Sequence, residues 1–528
     1  MSKITPSVIL FACYSTCIIV FDFIYENLYK LRFLLCSILV LLPILILIMI
    51  TFKFFKKQNP DNNDKSNRNN IKLYGFKLKK HTILTISLSW LIGVSWLFIF
   101  HEYLISQPVS RYKYKRVAAQ VITYPSKKDN KGFFTVKVIG IQYNYQANFT
   151  RTNFLLMAEM APFADNLKIG DTLIIQKPIR YPFSSGKDNQ YQRYLKSVGI
   201  SGKIKIKSGD WQIYKGKKTF QAQLMNAIWS IKNSIHKTIS RKLKKSNASF
   251  LMAILLSEKK ELDENIYTDF YDSGLMHLLA ISGLHIGIIA GFFFLIFKSF
   301  LPKSMALIIS SCFLYAYQTL LTNSPSINRA IIMYTLYVLT VILSKKRDPY
   351  NILALAAIII LLQNPYQLFH IGFQFSFLAT FSIFYLTPGF QTLLKKMRIP
   401  GFLNISLSIS LATFIMLLPL QWYYFQCTTP VSILNNLIAV PVFSILICLF
   451  FCYLVCLKLI TAVTLLSFTH NLIDRIIDMF LFLINKLAWI KPVSLPEIPF
   501  ILVIIMYTAI FLLFNRKSRR CNNNSNLT

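Results

Sequence analysis

Acidic residues are scarce in this 528-residue sequence, which has 21 Asp and Glu against 58 Lys and Arg. Charged residues make up 15% of the chain, whereas soluble globular proteins carry about 25%. This composition argues against an ordinary soluble enzyme. The net charge of +37 favours anionic partners, namely nucleic acid or lipid headgroups. A compositional bias towards Lys, Asn and Ile is an alternative source of part of this excess.

Motifs for metals, nucleotides and coupled ions are also missing. The seven His form no His-x-His-x-Asp cluster, and none of the nine Cys has metal-ligand spacing with a His. A G-x-x-x-x-G-K-[ST] loop is absent, so no ATP motor is expected within the chain. Between positions 278 and 473 the only acidic residue is Asp348, whereas ion-coupled carriers usually bury carboxylates in the membrane. We therefore expect no cofactor, no metal and no catalytic residues.

Long apolar runs dominate the sequence. Apolar residues make up 54% of the chain, and the mean hydropathy is +0.48. Many runs reach or approach the ~20 residues that span a bilayer. The sequence predicts a polytopic α-helical membrane protein of about 11–12 spans, with a short span near 459–470 the least certain. The other predicted spans lie near 7–24, 33–52, 82–104, 278–297, 304–321, 327–343, 350–364, 367–387, 402–425, 432–457 and 498–515.

Basic loops predict the orientation of these spans. Lys and Arg cluster at 53–80, 345–347, 395–398 and 516–520, and positive loops stay in the cytoplasm. The loop at 53–80 is polar enough to be predicted as disordered. The predicted segments are an N-terminal membrane part (1–105), an extracytoplasmic domain (106–220), linking helices (221–277), a membrane domain (278–515) and a basic cytoplasmic tail (516–528).

The extracytoplasmic domain has short alternating runs, at 116–123, 133–142, 153–159 and 172–176, which predict strands of a small OB-like β-barrel. Residues 106–220 contain 21 Lys and Arg against 6 Asp and Glu, with aromatic residues interleaved. A basic groove with stacking rings is how such barrels hold single strands. Alternatively, half of these rings are core and the lysines are solvated surface. The candidate binding residues are Tyr112, Lys113, Tyr114, Lys115, Arg116, Lys137, Tyr143 and Tyr145.

The densest polar cluster lies at 274–287, with the sequence GLMHLLAISGLHIG. His277, Ser282 and His285 would be costly in lipid, so they need a watery or protein interior. On one continuous helix, the two His would be about 80° apart and could face one lumen. A buried hydrogen-bonded network is the alternative. A Ser–His nucleophile pair is disfavoured because residues three apart on one helix are poorly aligned.

Glycines recur every four residues in the same segment, at Gly283, Gly287 and Gly291. Such a ridge of small residues lets another helix approach closely, so we predict helix packing there. Further polar residues lie in the outer halves of other predicted spans, at Arg329, Gln374 and Asn436. Together with the 274–287 cluster they predict a polar funnel below the extracytoplasmic domain. Independent capping of separate helix ends would give a similar pattern.

The segment GLMHLLAISGLHIG resembles the hallmark motif of the ComEC competence-protein family. Further stretches are similar in the same order: Asn328–Ala330 followed by 345–380, then LLPLQWYYF at 417–425 and NNLIAVP at 435–441. Upstream, KIGDT at 168–172 and QYQRYLKSVGI at 190–200 resemble that family's N-terminal OB-like domain. The resemblance covers roughly residues 80–515.

The resemblance implies a channel that carries single-stranded DNA across the bacterial cytoplasmic membrane during natural transformation, with 278–515 as the channel domain. Its expected lining is His277, Ser282, His285, Arg329, Gln374 and Asn436. Expected partners are membrane lipids, an extracytoplasmic DNA-delivery protein and a cytoplasmic helicase or recombinase. The metallo-β-lactamase-like domain of longer members has no counterpart motif here, so the resemblance implies a separate nuclease or none. A transporter or flippase of a smaller anionic or lipid substrate, and a non-transporting scaffold, remain alternatives.

Overall fold

The chain forms two compact units in a computed structural model, one comprising Met1–Trp229 with Ala354–His370 and the other Ser230–Leu353 with Ile371–Thr528. The spans predicted at 33–52 and 82–104, most of 7–24, and the candidates Tyr112, Lys113 and Tyr145 lie outside the residues that the structure describes. It describes 70–73, 76–79, 114–124, 126–128, 131–143, 148–161, 167–176, 198–207, 210–215, 218–259, 261–321, 325–344, 348–459 and 463–525, together with Ala12, Ser15 and Leu195.

A seven-stranded mixed sheet forms the first unit's ordered domain, and it confirms the strands predicted from alternation. Buried and outward-facing residues alternate along β3, β5, β6 and β8, as a period of two requires. Phe134, Val136 and Val138 on β5, for instance, enter one contiguous apolar core. The strands of this sheet are β3 (Tyr114–Val121), β4 (Ser126–Lys128), β5 (Lys131–Tyr143), β6 (Thr150–Ala161), β7 (Thr172–Ile175), β8 (Ile200–Lys207) and β9 (Trp211–Tyr214).

The sheet is open, so the prediction of a closed OB-like barrel is not confirmed. The strand order is β8-β6-β5-β3-β7-β9, with β4 paired to β5. Strands β6 and β8 are parallel, and the other pairs in this sheet are antiparallel. Among the described strands no pairing joins β8 to β9 and closes a barrel. A barrel needs its edge strands to meet, and alternation along single strands carries no information about that pairing.

A hairpin within the basic loop 53–80 corrects the prediction that this whole loop is disordered. Strands β1 (Asn70–Leu73) and β2 (Phe76–Lys79) pair antiparallel, with Lys72 opposite Lys77. Ile71 and Leu78 form another cross-strand pair.

The KIGDT turn holds helix α1 (Phe220–Lys242) against the sheet. Gly170 has φ +89°, and a Cβ at this position would lie 2.8 Å from the Ala222 Cβ. The buried Asp171 side chain accepts the Lys168 amide at 2.8 Å and pairs with Lys218 Nζ at 3.1 Å. Close approach of the backbone therefore requires a glycine in this turn.

Tyr124 belongs to the same contact rather than to a free aromatic surface. Its ring stacks on Trp229 of α1 at 4.4 Å, and its hydroxyl bonds to Asn226. Burial, together with the charge of Asp171, raises the pKa of the Tyr124 phenol to about 12. The phenol therefore stays neutral and serves as a structural donor.

Thirteen described helices follow α1 and confirm most of the helical segments predicted from apolar runs. Strands β10 (Cys427–Thr428) and β11 (Val493–Ser494) form a small pair between them. The helices are α2 (Lys245–Leu256), α3 (Glu264–Asp272), α4 (Met276–Leu279), α5 (Gly283–Lys298), α6 (Lys303–Leu320), α7 (Pro325–Ile342), α8 (Pro349–Gln363), α9 (Ile371–Tyr385), α10 (Thr387–Lys396), α11 (Gly401–Phe425), α12 (Ser432–Leu459), α13 (Val463–Leu487) and α14 (Phe500–Ser525).

Among the described residues, fewer helices are long enough to cross a bilayer than the sequence predicts for that part of the chain. Helix α11 and residues Ser432–Leu454 of α12 meet the length and hydropathy of a span. Helices α9 and α10 make a third candidate if they form one span bent by 47°. The other described apolar helices are shorter than the ~20 residues that cross the hydrocarbon core. The short span predicted near 459–470 is instead part of α13, a 25-residue helix that includes Asp474, Arg475, Asp478 and Lys486.

The apolar core of the second unit is built around a chain of aromatic rings. Phe480 on α13 lies 5.9 Å from Phe250 on α2, 6.3 Å from Phe270 on α3 and 5.9 Å from Phe443 on α12, measured between ring centroids. All four rings are buried. This cluster fixes α12 and α13 against the segment that precedes the 274–287 motif.

Candidate functional site

The 274–287 motif is not one helix, so the predicted relation between its two His is wrong. Helix α4 ends at Leu279, and Ala280 and Ser282 have extended backbone before α5 begins at Gly283. His277 therefore lies on α4, with an exposed side chain, and His285 lies in the first turn of α5, where it is buried. An eight-residue helical spacing does not apply across this break.

His285 takes the position that Glu or Gln holds in a capping box. The Ser282 amide donates to His285 Nδ1 at 3.2 Å, and the Ser282 hydroxyl lies 2.9 Å from the same nitrogen. Because Nδ1 accepts an amide proton, the neutral ring carries its proton on Nε2. Nε2 is buried and has no partner in the described structure. Ser282 therefore orients His285 through both its amide and its hydroxyl.

Ser282→Ala tests this orienting role. We expect a loss of about 1 kcal/mol in the free energy of unfolding, because the helix start loses its side-chain partner while Nδ1 keeps the amide donor. Thermal unfolding of the detergent-solubilised chain measures it. Ser299→Ala is the matched control: it removes an exposed hydroxyl at the other end of α5 and should change stability by no more than about 0.5 kcal/mol. Equal losses in both variants would contradict the assignment.

Arg329 is buried in the first two turns of α7 and has no acidic partner among the described salt bridges. Its Nη2 donates to Ser326 Oγ at 2.9 Å. The guanidinium carbon lies 5.8 Å from the centre of the Phe373 ring and 5.5 Å from that of Phe377, both on α9. Nε and Nη1 are buried without hydrogen-bond partners in the described structure. Two cationic donors are therefore left for an anion.

Gln374 and the Asn435–Asn436 pair differ in role. Gln374 on α9 is half-buried, and its Oε1 accepts the Tyr424 hydroxyl at 2.9 Å. Asn435 donates to the carbonyls of Ser273 at 2.9 Å and Leu487 at 3.2 Å, so it holds α12 against two other segments. Asn436 is the adjacent residue, and its buried Oδ1 has no partner in the described structure. Asn435 is therefore structural, and Asn436 keeps an unused acceptor.

The four-residue spacing of the glycines predicts close helix packing, but the described structure shows little of it. A Cβ at Gly283 would lie 3.9 Å from the Ala330 Cβ, an ordinary contact that joins α5 to α7. At Gly287 and Gly291 a Cβ would meet no described atom within 4 Å. The prediction of tight helix packing at these two positions is therefore corrected. A four-residue spacing places glycines on one face without specifying whether a helix covers that face.

The starts of α5, α7 and α9 lie next to one another, with Gly283 by Ala330 and Arg329 by Phe373. His285, Arg329, Gln374 and Asn436 lie in the first two turns of α5, α7, α9 and α12. Helix α5 contacts both α7 and α12, and α7 contacts α9. Helix N-termini carry partial positive charge, so these ends favour an anion. Whether the side chains line one lumen with His277 and Ser282 remains a prediction.

The outward face of the sheet is the second candidate surface. Lys137 lies on it opposite Gln120 and Leu155, and Glu159 pairs in register with Lys205. Glu159 is the one described acidic residue on the outward face of β3, β5, β6 and β8, and it pairs with Lys131 at 3.2 Å. The described cations of this face are Arg116, Lys131, Lys137, Lys203 and Lys205.

The aromatic residues of this region include a core position and two strand-end positions. Phe134, an aromatic of the same region, is core. Tyr114 and Tyr143 oppose each other in register at one end of β3 and β5, next to Arg116. Lys115 also belongs to β3. The binding role of Tyr114, Lys115, Arg116, Lys137 and Tyr143 stays a prediction.

A polar network on α13 was missed from the sequence. Asn247 is fully buried at the start of α2 and donates to Asp474 Oδ1 at 3.0 Å and Asp478 Oδ1 at 2.7 Å. Lys244 Nζ pairs with Asp478 at 2.6 Å. Burial raises the pKa of Asp478, but the hydrogen bonds from Lys244 and Asn247 outweigh it and leave that pKa below its usual range. The four-residue spacing of His470, Asp474 and Asp478 on one helix face was the available signal.

Comparisons with known proteins place this chain among competence proteins. A family model described as "Competence protein" matches residues 254–520, which include the His285, Arg329, Gln374 and Asn436 region. The chain is 29% identical over 218 residues to ComE operon protein 3 of Bacillus subtilis (strain 168), covering 41% of this chain and 27% of that relative. It is 28% identical over 224 residues to an uncharacterized protein of Aquifex aeolicus (strain VF5), covering 42% of this chain and 49% of that protein. The matches thus span between about a quarter and a half of these relatives. No solved structure matches the chain.

Proposed function

Because this chain belongs to the Competence protein family, as a ComEC-family protein, we propose that it acts in DNA uptake as a membrane channel for single-stranded DNA. The observation that carries the proposal is the pair of residues with buried, unused donors in the first two turns of α5 and α7. His285 and Arg329 leave buried donors unused, and neither takes part in a described salt bridge. A polyanion suits such a region because phosphates accept charge-assisted hydrogen bonds.

The basic face of the sheet supports the same proposal from the other unit. Five described cations against one carboxylate attract a phosphate backbone without reading its sequence. Phe133, a half-buried aromatic residue, lies on the same face. A strand would first meet this face and then pass to the polar helix ends. We expect no sequence specificity, because stacking and backbone contacts do not depend on groups that read individual bases.

The wider setting is part of the proposal. The two to three described helices that meet the criteria for a span, with the shorter apolar helices, would lie in the bacterial cytoplasmic membrane in multi-pass form. The sheet domain would face outward. We assign the chain no catalytic role, so the driving force would come from a cytoplasmic helicase or recombinase. An extracytoplasmic delivery protein would supply the strand, and a separate nuclease would remove its complement.

Binding of DNA by the detergent-solubilised full chain tests this function. We expect single-stranded oligo-dT to bind more tightly than a duplex of equal length, with affinity falling steeply as salt rises. Replacing Lys137 and Lys205 with Gln should reduce the slope of log K against log salt by about 1.4, or 0.7 for each lost phosphate contact on a single strand. Calorimetric titration at several salt concentrations measures both effects.

The matched control replaces one exposed lysine outside the sheet face. Lys237→Gln on α1 makes the same charge change and should leave the salt slope nearly unaltered. No binding of oligo-dT at low salt would overturn the DNA proposal. In that case transport of a smaller anion or a lipid becomes the leading function, because the unused donors at the helix ends would still favour negative charge.

A further inference from the structure

Arg329 is a buried cation without a described counter-ion in the second unit. Its side chain is 1% exposed, and it has neither a carboxylate partner nor acceptors for Nε and Nη1. Leaving a buried charge unpaired is strongly unfavourable, and replacing such a charge with an apolar residue is often neutral or stabilising. A purely structural role would be served better by Met or Leu at this position.

The contacts that Arg329 does make orient it without neutralising it. Ser326 Oγ accepts from Nη2 at 2.9 Å, which fixes one edge of the planar guanidinium. The rings of Phe373 and Phe377 lie 5.8 Å and 5.5 Å from the guanidinium carbon. Aromatic faces stabilise a cation through their quadrupole, yet they accept none of its N–H groups as a carboxylate or phosphate would. Nε and Nη1, whose N–H groups point to different sides of the guanidinium, are therefore left for a ligand.

We infer that Arg329 binds a phosphate group through an N–H of Nε or Nη1, with Ser326 orienting the guanidinium and Phe373 and Phe377 holding it in place. Phosphate oxygens accept charge-assisted hydrogen bonds from a guanidinium, and its planar shape fixes the direction of each N–H, which a lysine ammonium does not. Because both donors are buried, binding requires that the side chains around Arg329 move to admit a phosphate. The inference rests on the proposed function for its nucleic-acid ligand, since the same site also fits inorganic phosphate.

The position of Arg329 in the fold favours an anionic phosphate over a nucleobase as its ligand. Arg329 lies in the first two turns of α7, next to Ala330, which faces Gly283 at the start of α5. Two helix N-termini therefore add their positive ends to the guanidinium charge. Lys and Arg contacts to phosphate weaken with salt in proportion to the number of phosphates contacted. Removing this site should therefore reduce the slope of log K against log salt by the amount expected for one phosphate contact.

The test uses the full chain in detergent and two probes, a twelve-residue oligo-dT and inorganic phosphate. We expect Arg329→Gln to weaken oligo-dT binding about tenfold or more and to reduce the salt slope by about 0.7. Arg329→Lys should recover part of the affinity, because lysine keeps the positive charge but lacks the planar guanidinium with its fixed N–H directions. An oligo-dT with an uncharged methylphosphonate backbone should bind wild type and Arg329→Gln equally.

Thermal unfolding separates a ligand role from a packing role. Arg329→Met should unfold at the wild-type temperature or above it while losing the phosphate contact, because the buried charge is gone. The matched control Arg475→Met changes an exposed arginine on α13 and should alter neither binding nor stability. A large fall in the unfolding temperature of Arg329→Met, with an unchanged salt slope in Arg329→Gln, would overturn the inference in favour of packing.

The outcomes for the inference and for the proposed function are distinct. Oligo-dT binding that depends on Arg329 supports both. Arg329-dependent binding of inorganic phosphate, with none of oligo-dT, supports the phosphate site and removes the DNA function. Oligo-dT binding with the same affinity and salt slope in wild type and Arg329→Gln overturns the phosphate site and leaves the DNA function standing.

Discussion

Gly274→Ala is expected to destabilise the helical unit by about 2–5 kcal/mol. Gly274 has φ +72° in the turn between α3 and α4, where a side chain costs about 1–2 kcal/mol. The added Cβ would also lie 2.7 Å from the Ser432 Cβ and 3.0 Å from the Thr429 Cβ. Overpacking of this kind costs about 1–3 kcal/mol more. These neighbouring atoms are attached directly to the backbone, so rotating a side chain does not relieve the clash.

Denaturant or thermal unfolding in detergent measures this loss, with Gly287→Ala as the control. Gly287 belongs to the same motif but lies within α5, and a Cβ there meets no described atom within 4 Å. Its replacement should gain up to about 1 kcal/mol, since Ala favours helix over Gly. Similar losses at both positions would show that the motif needs small residues for reasons other than the contact with α12.

Asn435→Ala should cost about 2–6 kcal/mol, the second large effect. Asn435 is buried and its Nδ2 satisfies the carbonyl oxygens of Ser273 and Leu487. Each buried acceptor left without a donor costs about 1–3 kcal/mol. The loss should separate α12 from the turn before the motif and from the end of α13. Unfolding of the purified chain, followed by circular dichroism, measures it.

The neighbouring asparagine provides the comparison. Asn436 has a buried Oδ1 with no partner in the described structure, so Asn436→Ala should change stability by no more than about 1 kcal/mol. If Asn436 lines the DNA path, the same variant should lower uptake of labelled single strands by cells that depend on this protein. An Asn436→Ala protein that unfolds as readily as Asn435→Ala would show that both residues are structural.

Elements with a clear local period were predicted well. The strands at 116–123 and 172–176 follow from alternation of apolar and polar residues, and β3 and β7 occupy these positions. The long helices follow from continuous apolar runs, as α11 and α12 show. These patterns depend on residues close in sequence, so no tertiary contact was needed to recognise them.

Features that depend on distant residues were not predicted correctly. Closure of the sheet depends on whether the edge strands β8 and β9 pair, which alternation does not encode. The break at 280–282 separates His277 from His285, although the apolar run continues through it. The short apolar helices lie within longer apolar runs, which predict full membrane spans. A hydropathy average over such a run includes the helix ends and turns, so it does not show where the helix stops. The Asn247 network joins residues more than 200 positions apart.

Composition and local pattern specified that this is a basic, apolar, mainly helical chain with one β-rich insertion. They also picked out Arg329, His285 and Asn436 as polar groups in apolar surroundings. Contacts between distant segments decided which of these polar groups have hydrogen-bond partners. Asn435 and Asn436 are the same residue type at adjacent positions, yet one bonds to Ser273 and Leu487 while the other keeps an unpaired oxygen. Hydrogen bonding and burial depend on neighbours in space, and local sequence does not contain them.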